Sequence, residues 1–172
     1  MKLVGTSVQL RHPEEADVSI ILRWENDVAN WLVSDTIKPY SEEEITSFVK
    51  AGQDFFRDGQ MRWMMETKEG QVVGCIDIFD FDQKNRRAGV GVLIDEEFRG
   101  RGYGLEAIKL AIDSSFTDFE LHSLYAEVLE GNMASRTLFE RSGFELIGVK
   151  KDWHWDGARY HNQMFYQMIG KR

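Results

Sequence analysis

Three glycines alternate with larger residues in the segment Arg99-Gly100-Arg101-Gly102-Tyr103-Gly104. The residues before it have the pattern of a strand, and apolar residues after it repeat at helical spacing. A glycine-rich turn that opens a helix brings backbone N–H groups close to a ligand, and the helix dipole favours negative charge there. The two guanidinium groups can add charge-assisted hydrogen bonds. The segment therefore predicts an anion site, most naturally for a pyrophosphate.

Other glycine-rich motifs fit this segment less well. A dinucleotide fingerprint needs a third glycine where Leu105 stands, and a P-loop needs a Gly-Lys-Ser/Thr sequence that is absent here. RNA-binding Arg-Gly segments belong to disordered, basic chains, whereas this chain has a formal charge of −8. That charge repels nucleic acid and attracts cations such as amines. A strand-to-helix turn without a ligand is the structural alternative.

A second group of residues could attract a cationic substrate or accept its proton. Asp77, Asp80 and Asp82 lie on or just after a predicted strand. A carboxylate there can act on an ammonium group, and a solvated strand end is the alternative interpretation. In an unbulged strand Asp80 and Asp82 would share one face, and Asp77 would point to the other.

Aromatic and acidic residues are also mixed in the first two predicted helices and in the connection between them, as in a pocket for a cation. The residues that we predict to contact such a substrate are Glu25, Trp31 and Asp35. The four histidines show no metal-ligand spacing, so no metal is predicted. Cys75 lies in an apolar run, which predicts a buried thiol in a reducing compartment. Because no apolar run approaches the roughly 20 residues that span a bilayer, we expect a cytoplasmic protein without a membrane partner.

The elements that must position these residues follow the order β-α-α-β-β-β-α-β-α-β-β. The predicted strands cover residues 7–11, 61–67, 72–80, 88–95, 121–130, 144–150 and 160–169. The predicted helices begin at Pro13, Ser41, Gly102 and Met133, and the second of them extends to Phe55 and Phe56. The pattern predicts an α/β (α+β) fold, with one twisted, mostly antiparallel mixed sheet of about seven strands and helices on both faces. A length of 172 residues predicts one domain, 1–172.

Two motifs together resemble the Gcn5-related N-acetyltransferases, the GNAT family. The Arg99–Gly104 segment is similar to that family's Arg/Gln-x-x-Gly-x-Gly/Ala signature. Downstream, the block from Asn132 to Phe144 is similar to its Asn-x-x-Ala/Ser…Leu-Tyr-Glu-x-x-Gly-Phe block. Within the family, the run 61–148 looks most like the bacterial spermidine acetyltransferases, followed by the ribosomal-protein alanine acetyltransferases. The resemblance implies the GNAT fold and transfer of an acetyl group from acetyl-CoA to a primary amine.

The resemblance also implies how the cosubstrate lies. Acetyl-CoA would bind between the splayed fourth and fifth predicted strands, with its pyrophosphate on the glycine-rich turn. The residues thereby assigned to it are Val92, Leu93, Ile94, Arg99, Gly100, Arg101, Gly102, Tyr103, Gly104, Asn132, Ser135 and Phe139. Gly89 and Gly91 would suit a bulge that opens the gap. Asn132 could instead, or in addition, cap a helix.

The expected chemistry is direct attack by the amine, in which Asp77 or Asp80 attracts the amine or relays its proton. Phe139 stands where many relatives have the tyrosine that protonates the leaving thiolate. Phenylalanine cannot donate a proton, so water or another hydroxyl must take that role, and the candidate hydroxyls are those of Tyr125, Tyr103, Ser135 and Ser142. The preferred acceptor is a small polyamine or diamine, and the alternatives are a protein N-terminus or a non-catalytic acyl-CoA-binding module. Spermidine-type relatives form large oligomers, so a homo-oligomer is expected.

Overall fold

The computed structural model describes residues 2–31 and 37–171 of the chain. The chain folds into two compact units, one of Met1–His12 with Asp54–Arg172 and the other of Pro13–Gln53. The first unit contains the sheet, and the described part of the second contains three α-helices. The prediction of a single domain over 1–172 stays a prediction.

The first unit is built on one mixed sheet. Its strands are β1 (Lys2–Val4), β2 (Val8–Arg11), β3 (Met61–Thr67), β4 (Val72–Asp82), β5 (Arg87–Ile94), β6 (Ser123–Leu129), β7 (Glu145–Trp155) and β8 (Tyr160–Ile169). They lie in the order β1-β2-β3-β4-β5-β6-β8-β7. All neighbours are antiparallel except β5 and β6, which are parallel. This confirms the predicted fold class, with eight strands instead of about seven.

The sequence patterns did not predict β1 or the second half of β7, for different reasons. β1 has only three residues, which is too short for an alternation to stand out. The sequence pattern predicts that β7 ends at Lys150, but the strand continues to Trp155, and its partner β8 begins at Tyr160 as predicted. An irregular register between Lys150 and His154 interrupts the alternation there.

Six α-helices accompany these strands in the described residues. They are α1 (Val18–Glu25), α2 (Val28–Trp31), α3 (Glu42–Lys50), α4 (Phe55–Asp58), α5 (Tyr103–Thr117) and α6 (Met133–Arg141). α5 provides the crossover that two parallel neighbours require, since it joins β5 to β6. It packs Ala107 and Ile108 into the same buried cluster as Ile78 and Val90 of the sheet. One face of β4 and β5 is thus covered by α5.

Two predicted helices differ in the structure. The helix expected from Pro13 begins only at Val18, after a short 3-10 turn. The helix expected to run from Ser41 through Phe56 stops at Lys50. Asp54 then caps a separate turn, α4, by accepting hydrogen bonds of 3.1 Å from the N–H groups of Phe56 and Arg57. Gly52, with φ of 67°, leaves the right-handed helical conformation just after α3, and the cap at Asp54 starts a new turn.

The start of α3 itself follows the prediction from its sequence. Ser41 accepts a hydrogen bond of 3.2 Å from the Glu44 N–H, and the Glu44 carboxylate accepts one of 2.7 Å from the Ser41 N–H. This reciprocal pair is the capping box, and it satisfies two N–H groups that the first turn leaves without helical partners.

A β-bulge interrupts the pairing of β4 with β5. Phe79 pairs with Gly89, but Asp82 pairs with Arg87, so β4 has one residue more than β5 in this stretch. Asp80 takes the left-handed conformation there, with φ of 53°. The bulge predicted in β5 at Gly89 and Gly91 therefore lies in β4, because β5 keeps a regular register with β4 from Gly89 to Ile94.

Candidate active site

The glycine-rich turn leads directly into α5, as predicted. Gly100 and Gly102 have φ of 76° and 85°, a conformation in which other residues are strained. A Cβ atom on Gly102 would meet nothing within 4 Å, so the backbone conformation and not lack of space requires glycine. Gly102 precedes the helix without a side-chain cap. The N–H groups of the first turn of α5 therefore point toward any ligand that lies there.

The two arginines of this turn are exposed, and each is tied to the backbone by one contact. Arg99 Nε donates to the Ile94 carbonyl over 3.2 Å, and Arg101 Nη2 donates to the Glu97 carbonyl over 3.0 Å. The Arg101 guanidinium also lies 5.2 Å from the centre of the Phe98 ring. Since a guanidinium has five N–H donors, these contacts leave others for an anion.

A gap opens in the sheet between β5 and β6. The two strands pair only from Arg87 to Gly89, with Ser123 to Tyr125 as partners. From Val90 to Ile94, β5 pairs with β4 alone among the described residues. The predicted cosubstrate-binding stretch, Val92 to Ile94, therefore borders the opening. A methyl group on Gly104 would lie 3.4 Å from Ile94, so this border also adjoins the start of α5.

The second motif forms α6, close to the first. A Cβ atom added to Gly104 of the first motif would lie 3.7 Å from Leu138 of α6. The two motifs are far apart in sequence but are neighbours in the structure. Asn132 caps α6 by accepting a hydrogen bond of 3.1 Å from the Ser135 N–H. The cap predicted as one role of Asn132 is present, and it engages Oδ1 only.

Phe139 is a core residue of α6. Its side chain is 4% exposed, and its ring packs edge-on against Phe144 at 5.2 Å between centroids. The Tyr166 ring lies 6.4 Å away and nearly parallel. Its hydroxyl donates to Glu140 Oε1 over 2.8 Å. Tyr166 thus places a phenol next to Phe139, the position where many relatives have a tyrosine. No local sequence pattern indicates this contact, because β8 lies far along the chain from α6.

A tyrosine–aspartate pair marks the point where the gap begins. Tyr125 occupies the last rung that β6 shares with β5, and its hydroxyl donates to Asp80 Oδ2 over 3.3 Å. Burial raises the pKa of Tyr125 to about 12, and the negative charge of Asp80 adds to that rise. The phenol therefore keeps its proton at neutral pH. The β4 bulge makes this contact possible, since regular alternation would send Asp80 to the face opposite Phe79.

The Phe79 ring packs beside Tyr125 at the start of the gap, and the absence of a side chain on Gly89 leaves space for this ring. The Phe79 ring touches that of Tyr125 edge to face at 6.2 Å. A Cβ atom on Gly89 would lie only 2.5 Å from the Phe79 ring. Gly89 therefore serves ring packing at the narrow end of the gap.

Gly89→Ala is expected to destabilise the protein by about 1–2 kcal/mol, because the added methyl group forces the Phe79 ring to move. Thermal unfolding should show a melting temperature lower by several degrees, at about 2–4 °C per kcal/mol. The same substitution in a Phe79→Leu background is expected to cost much less. Equal costs in both backgrounds would contradict the contact.

Asp77 lies on β4 with a different partner. Both of its carboxylate oxygens accept hydrogen bonds from Arg62 on the neighbouring β3, over 2.6 and 2.8 Å. Asp82 holds the turn after β4, where it accepts from the Asn85 N–H over 2.9 Å and pairs with Arg87 at 3.1 Å. Of the three aspartates, Asp80 is the one that accepts a hydrogen bond from Tyr125 beside the gap.

The residues predicted to contact the acceptor belong to the second unit. Trp31 donates its indole N–H to the Glu25 carbonyl over 2.6 Å, so the two lie together. Asp35 lies outside the described residues. Among the residues that the structure describes, no group of three or more His, Cys, Asp and Glu side chains could hold a metal ion. No helix in residues 2–31 and 37–171 is long and apolar enough to cross a membrane.

Comparison with known proteins agrees with this arrangement. Residues 7–145 match the acetyltransferase (GNAT) domain. The spermidine N(1)-acetyltransferase of Escherichia coli K12 is 24% identical over 160 residues, which cover 91% of this chain and 82% of that protein. The candidate ribosomal N-acetyltransferase YdaF of Bacillus subtilis is 31% identical over 101 residues, or 59% of this chain and 55% of that protein.

Solved structures share the fold. The spermidine N-acetyltransferase of Vibrio cholerae, in a crystal structure with CoA and spermine, aligns with a TM-score of 0.84 at 23% identity, covering 94% of this chain and 95% of that one. Sequence identity at that level establishes a common fold and no more. The matched domain spans most of the sequence and includes both motifs, β5, α5 and α6. The chain therefore belongs to the GNAT family of acetyltransferases.

Proposed function

We propose that the protein transfers the acetyl group of acetyl-CoA to a small primary amine that carries at least one further positive charge. The observation that supports this most directly is the gap between β5 and β6, which opens beside the amide-rich turn of α5. A long, thin ligand with a pyrophosphate at one end fits such a combination. The Vibrio cholerae relative was crystallised with CoA and spermine, which agrees with this choice.

The cosubstrate would bind through contacts made by this chain's own residues. Its pyrophosphate would accept hydrogen bonds from the first-turn N–H groups of α5 and from Arg99 and Arg101. Its pantetheine arm would run along the free border of β5 at Val92 to Ile94. Asn132 and Ser135 at the start of α6 are the proposed partners on the other side, and Phe139 adds apolar packing beneath them.

The amine would approach the acetyl group near Tyr125 and Asp80. An amine of pKa ~10 is protonated at pH 7, and exposing its lone pair costs roughly 4 kcal/mol. The Asp80 carboxylate attracts the ammonium ion and accepts or relays its proton. The nitrogen then attacks the thioester carbon, so that a C–N bond forms and the C–S bond breaks. The nitrogen loses its second proton as the amide forms, and that proton reaches the CoA thiolate through water or the Tyr125 phenol, which acts only as a relay. The first proton passes from Asp80 to solvent.

Two other functions have specific support. The similarity to YdaF favours acetylation of a protein N-terminus. The phenylalanine at 139, in place of the usual tyrosine, favours a module that binds acyl-CoA without catalysis. The acidic and aromatic residues beside the gap support a small cationic acceptor over both.

A thiol-release assay tests the proposal. The protein is mixed with acetyl-CoA and, separately, with spermidine, spermine, 1,4-diaminobutane, amino sugars and peptides with a free N-terminus. We expect turnover with the polyamines and diamine at the highest kcat/KM. Preference for the peptides would support N-terminal acetylation, and tight CoA binding without turnover of any amine would support the non-catalytic module.

Asp77→Asn is expected to weaken the fold slightly and to leave catalysis nearly intact. The substitution keeps the shape but removes the charge that faces Arg62, which lowers stability by about 1 kcal/mol. Thermal unfolding should register this loss, and kcat with the preferred amine should remain within about threefold of wild type. A much larger fall in kcat would return Asp77 to the catalytic role that the sequence predicts.

A further inference from the structure

An ammonium group of the chain itself lies in a cation-binding arrangement near the candidate site. Lys150 Nζ is 4.8 Å from the centre of the Trp153 ring and 5.3 Å from the centre of the Phe165 ring. The same ammonium pairs with the carboxylate of Glu127. We call Glu127, Trp153 and Phe165 the cation box. Two aromatic rings and a carboxylate are the groups that proteins use to hold ammonium ligands.

A local distortion of β7 builds this box. In a regular strand Lys150 and Trp153 would point to opposite faces, because they are an odd number of residues apart. The register against β8 shifts between Lys150 and His154, and Asp152 takes a φ of 47°. The Asp152 N–H is held by Asn162 Oδ1 over 3.1 Å. A non-glycine residue in this conformation is costly, and such residues concentrate at binding sites.

The carboxylate of the box is oriented, and the lysine can leave it. Gln163 Nε2 donates to Glu127 Oε2 over 2.7 Å, which fixes the carboxylate on the sheet face. The Lys150 and Glu127 side chains are 32% and 28% exposed, so solvent reaches both. A partly exposed ion pair contributes little to stability, and replacing one ammonium by another preserves the charge balance.

The box is continuous with the proposed catalytic residues. Phe165 stacks on Tyr125 with 5.5 Å between centroids and 13° between planes. Tyr125 in turn donates to Asp80 at the start of the gap. A row of aromatic rings therefore leads from the point where β5 and β6 diverge to the cation box. Asp80 lies at one end of the row and Glu127 at the other.

We propose that the cation box is the subsite for the second ammonium group of the acceptor, and that Lys150 is a resident occupant which the acceptor displaces. This inference rests on the function proposed above. The reacting amine would lie by Asp80, the alkyl chain along Phe165, and the second ammonium between Trp153 and Glu127. A monoamine of equal length gains nothing from the box. Lys150 thereby sets how strongly the site prefers diamines to monoamines.

The test measures binding without turnover. 1,4-Diaminobutane and butylamine are titrated calorimetrically into the protein saturated with CoA. Lys150→Met keeps an unbranched stem but removes the ammonium group, and it should tighten diamine binding by about tenfold, since an occluded site weakens apparent affinity by its free fraction. Butylamine affinity should not change. Lys151→Met removes the same charge from the neighbouring residue and should leave both affinities as in wild type.

A second variant keeps the test decisive. Trp153→Leu should weaken diamine binding by about threefold to tenfold through loss of the cation–aromatic contact, with butylamine unaffected. Thermal unfolding verifies that each variant is folded. Any other pattern overturns the subsite, including equal tightening in Lys151→Met. If the three variants bind the diamine and butylamine as expected but the wild-type protein acetylates no amine, the subsite stands and the proposed function fails. If amines are acetylated and Lys150→Met binds the diamine no better, the function stands and the subsite fails.

Discussion

Gly102→Asp is expected to abolish measurable acetyl-CoA binding, with an affinity loss of at least about 100-fold. The new carboxylate would stand at the first turn of α5, where the proposed pyrophosphate accepts N–H hydrogen bonds. Two charges at about 4 Å repel by roughly 1 kcal/mol in water and roughly 4 kcal/mol near a protein surface, and a pyrophosphate has more than one charge. Calorimetric titration of CoA into the variant measures the loss.

The matched control is Gly102→Asn, which has nearly the same size without the charge. Both side chains enter open space, since a Cβ atom on Gly102 would meet nothing within 4 Å. Both also suffer the left-handed backbone conformation, at a cost of roughly 1–2 kcal/mol that asparagine tolerates better than most residues. Gly102→Asn should therefore keep most of the CoA affinity. Unchanged binding in Gly102→Asp would place the pyrophosphate elsewhere.

Asp80→Asn is expected to lower kcat/KM for the amine by about 100-fold, which is the lower end of the range for a positioned general base. The substitution removes the carboxylate that we propose to attract the ammonium group and accept its proton. It should leave the backbone in place, because asparagine also tolerates the left-handed conformation at this position. The affinity for CoA should not change. Steady-state thiol-release kinetics with varied amine and calorimetry with CoA separate the two effects.

Asp82→Asn serves as the control for Asp80→Asn. Asp82 lies two residues further along β4, and it holds the following turn through Asn85 and Arg87. Its substitution removes an equal charge at almost the same place in the sequence. We expect kcat/KM within about threefold of wild type, because surface substitutions away from a site have small effects. Similar losses in both variants would mean that Asp80 acts only through general electrostatic attraction.

The two substitutions probe opposite ends of the same proposed ligand pair. In the proposed function, Gly102 lies at the anionic end of the cosubstrate and Asp80 lies at the cationic acceptor. A protein that loses CoA binding in Gly102→Asp but keeps its amine kinetics in Asp80→Asn would have the cosubstrate site without the proposed role of Asp80. The alternative non-catalytic module predicts the same loss of CoA binding, together with no turnover of any amine in the wild-type protein.

Local features of the chain were predictable because neighbouring residues determine them. The glycine-rich turn, the helix start at Ser41 and the two strands β3 and β4 each depend on a short contiguous segment. The resemblance of two motifs predicted the family, which the domain match confirms. Helix ends were less predictable, since Gly52 ends α3 inside an apolar pattern that continues to Phe56.

The sequence by itself determined the kind of fold and the amide-rich turn, because glycine placement and apolar periodicity act locally. The resemblance of two motifs indicated the family. Only the tertiary structure decided which acid stands beside the gap. One inserted residue in β4 reverses the alternation and turns Asp80 toward Tyr125, which is 45 residues away. A second distortion, in β7, brings Trp153 to Lys150 in the same way. Bulges and strand divergence depend on pairing between distant segments, and no local pattern encodes them.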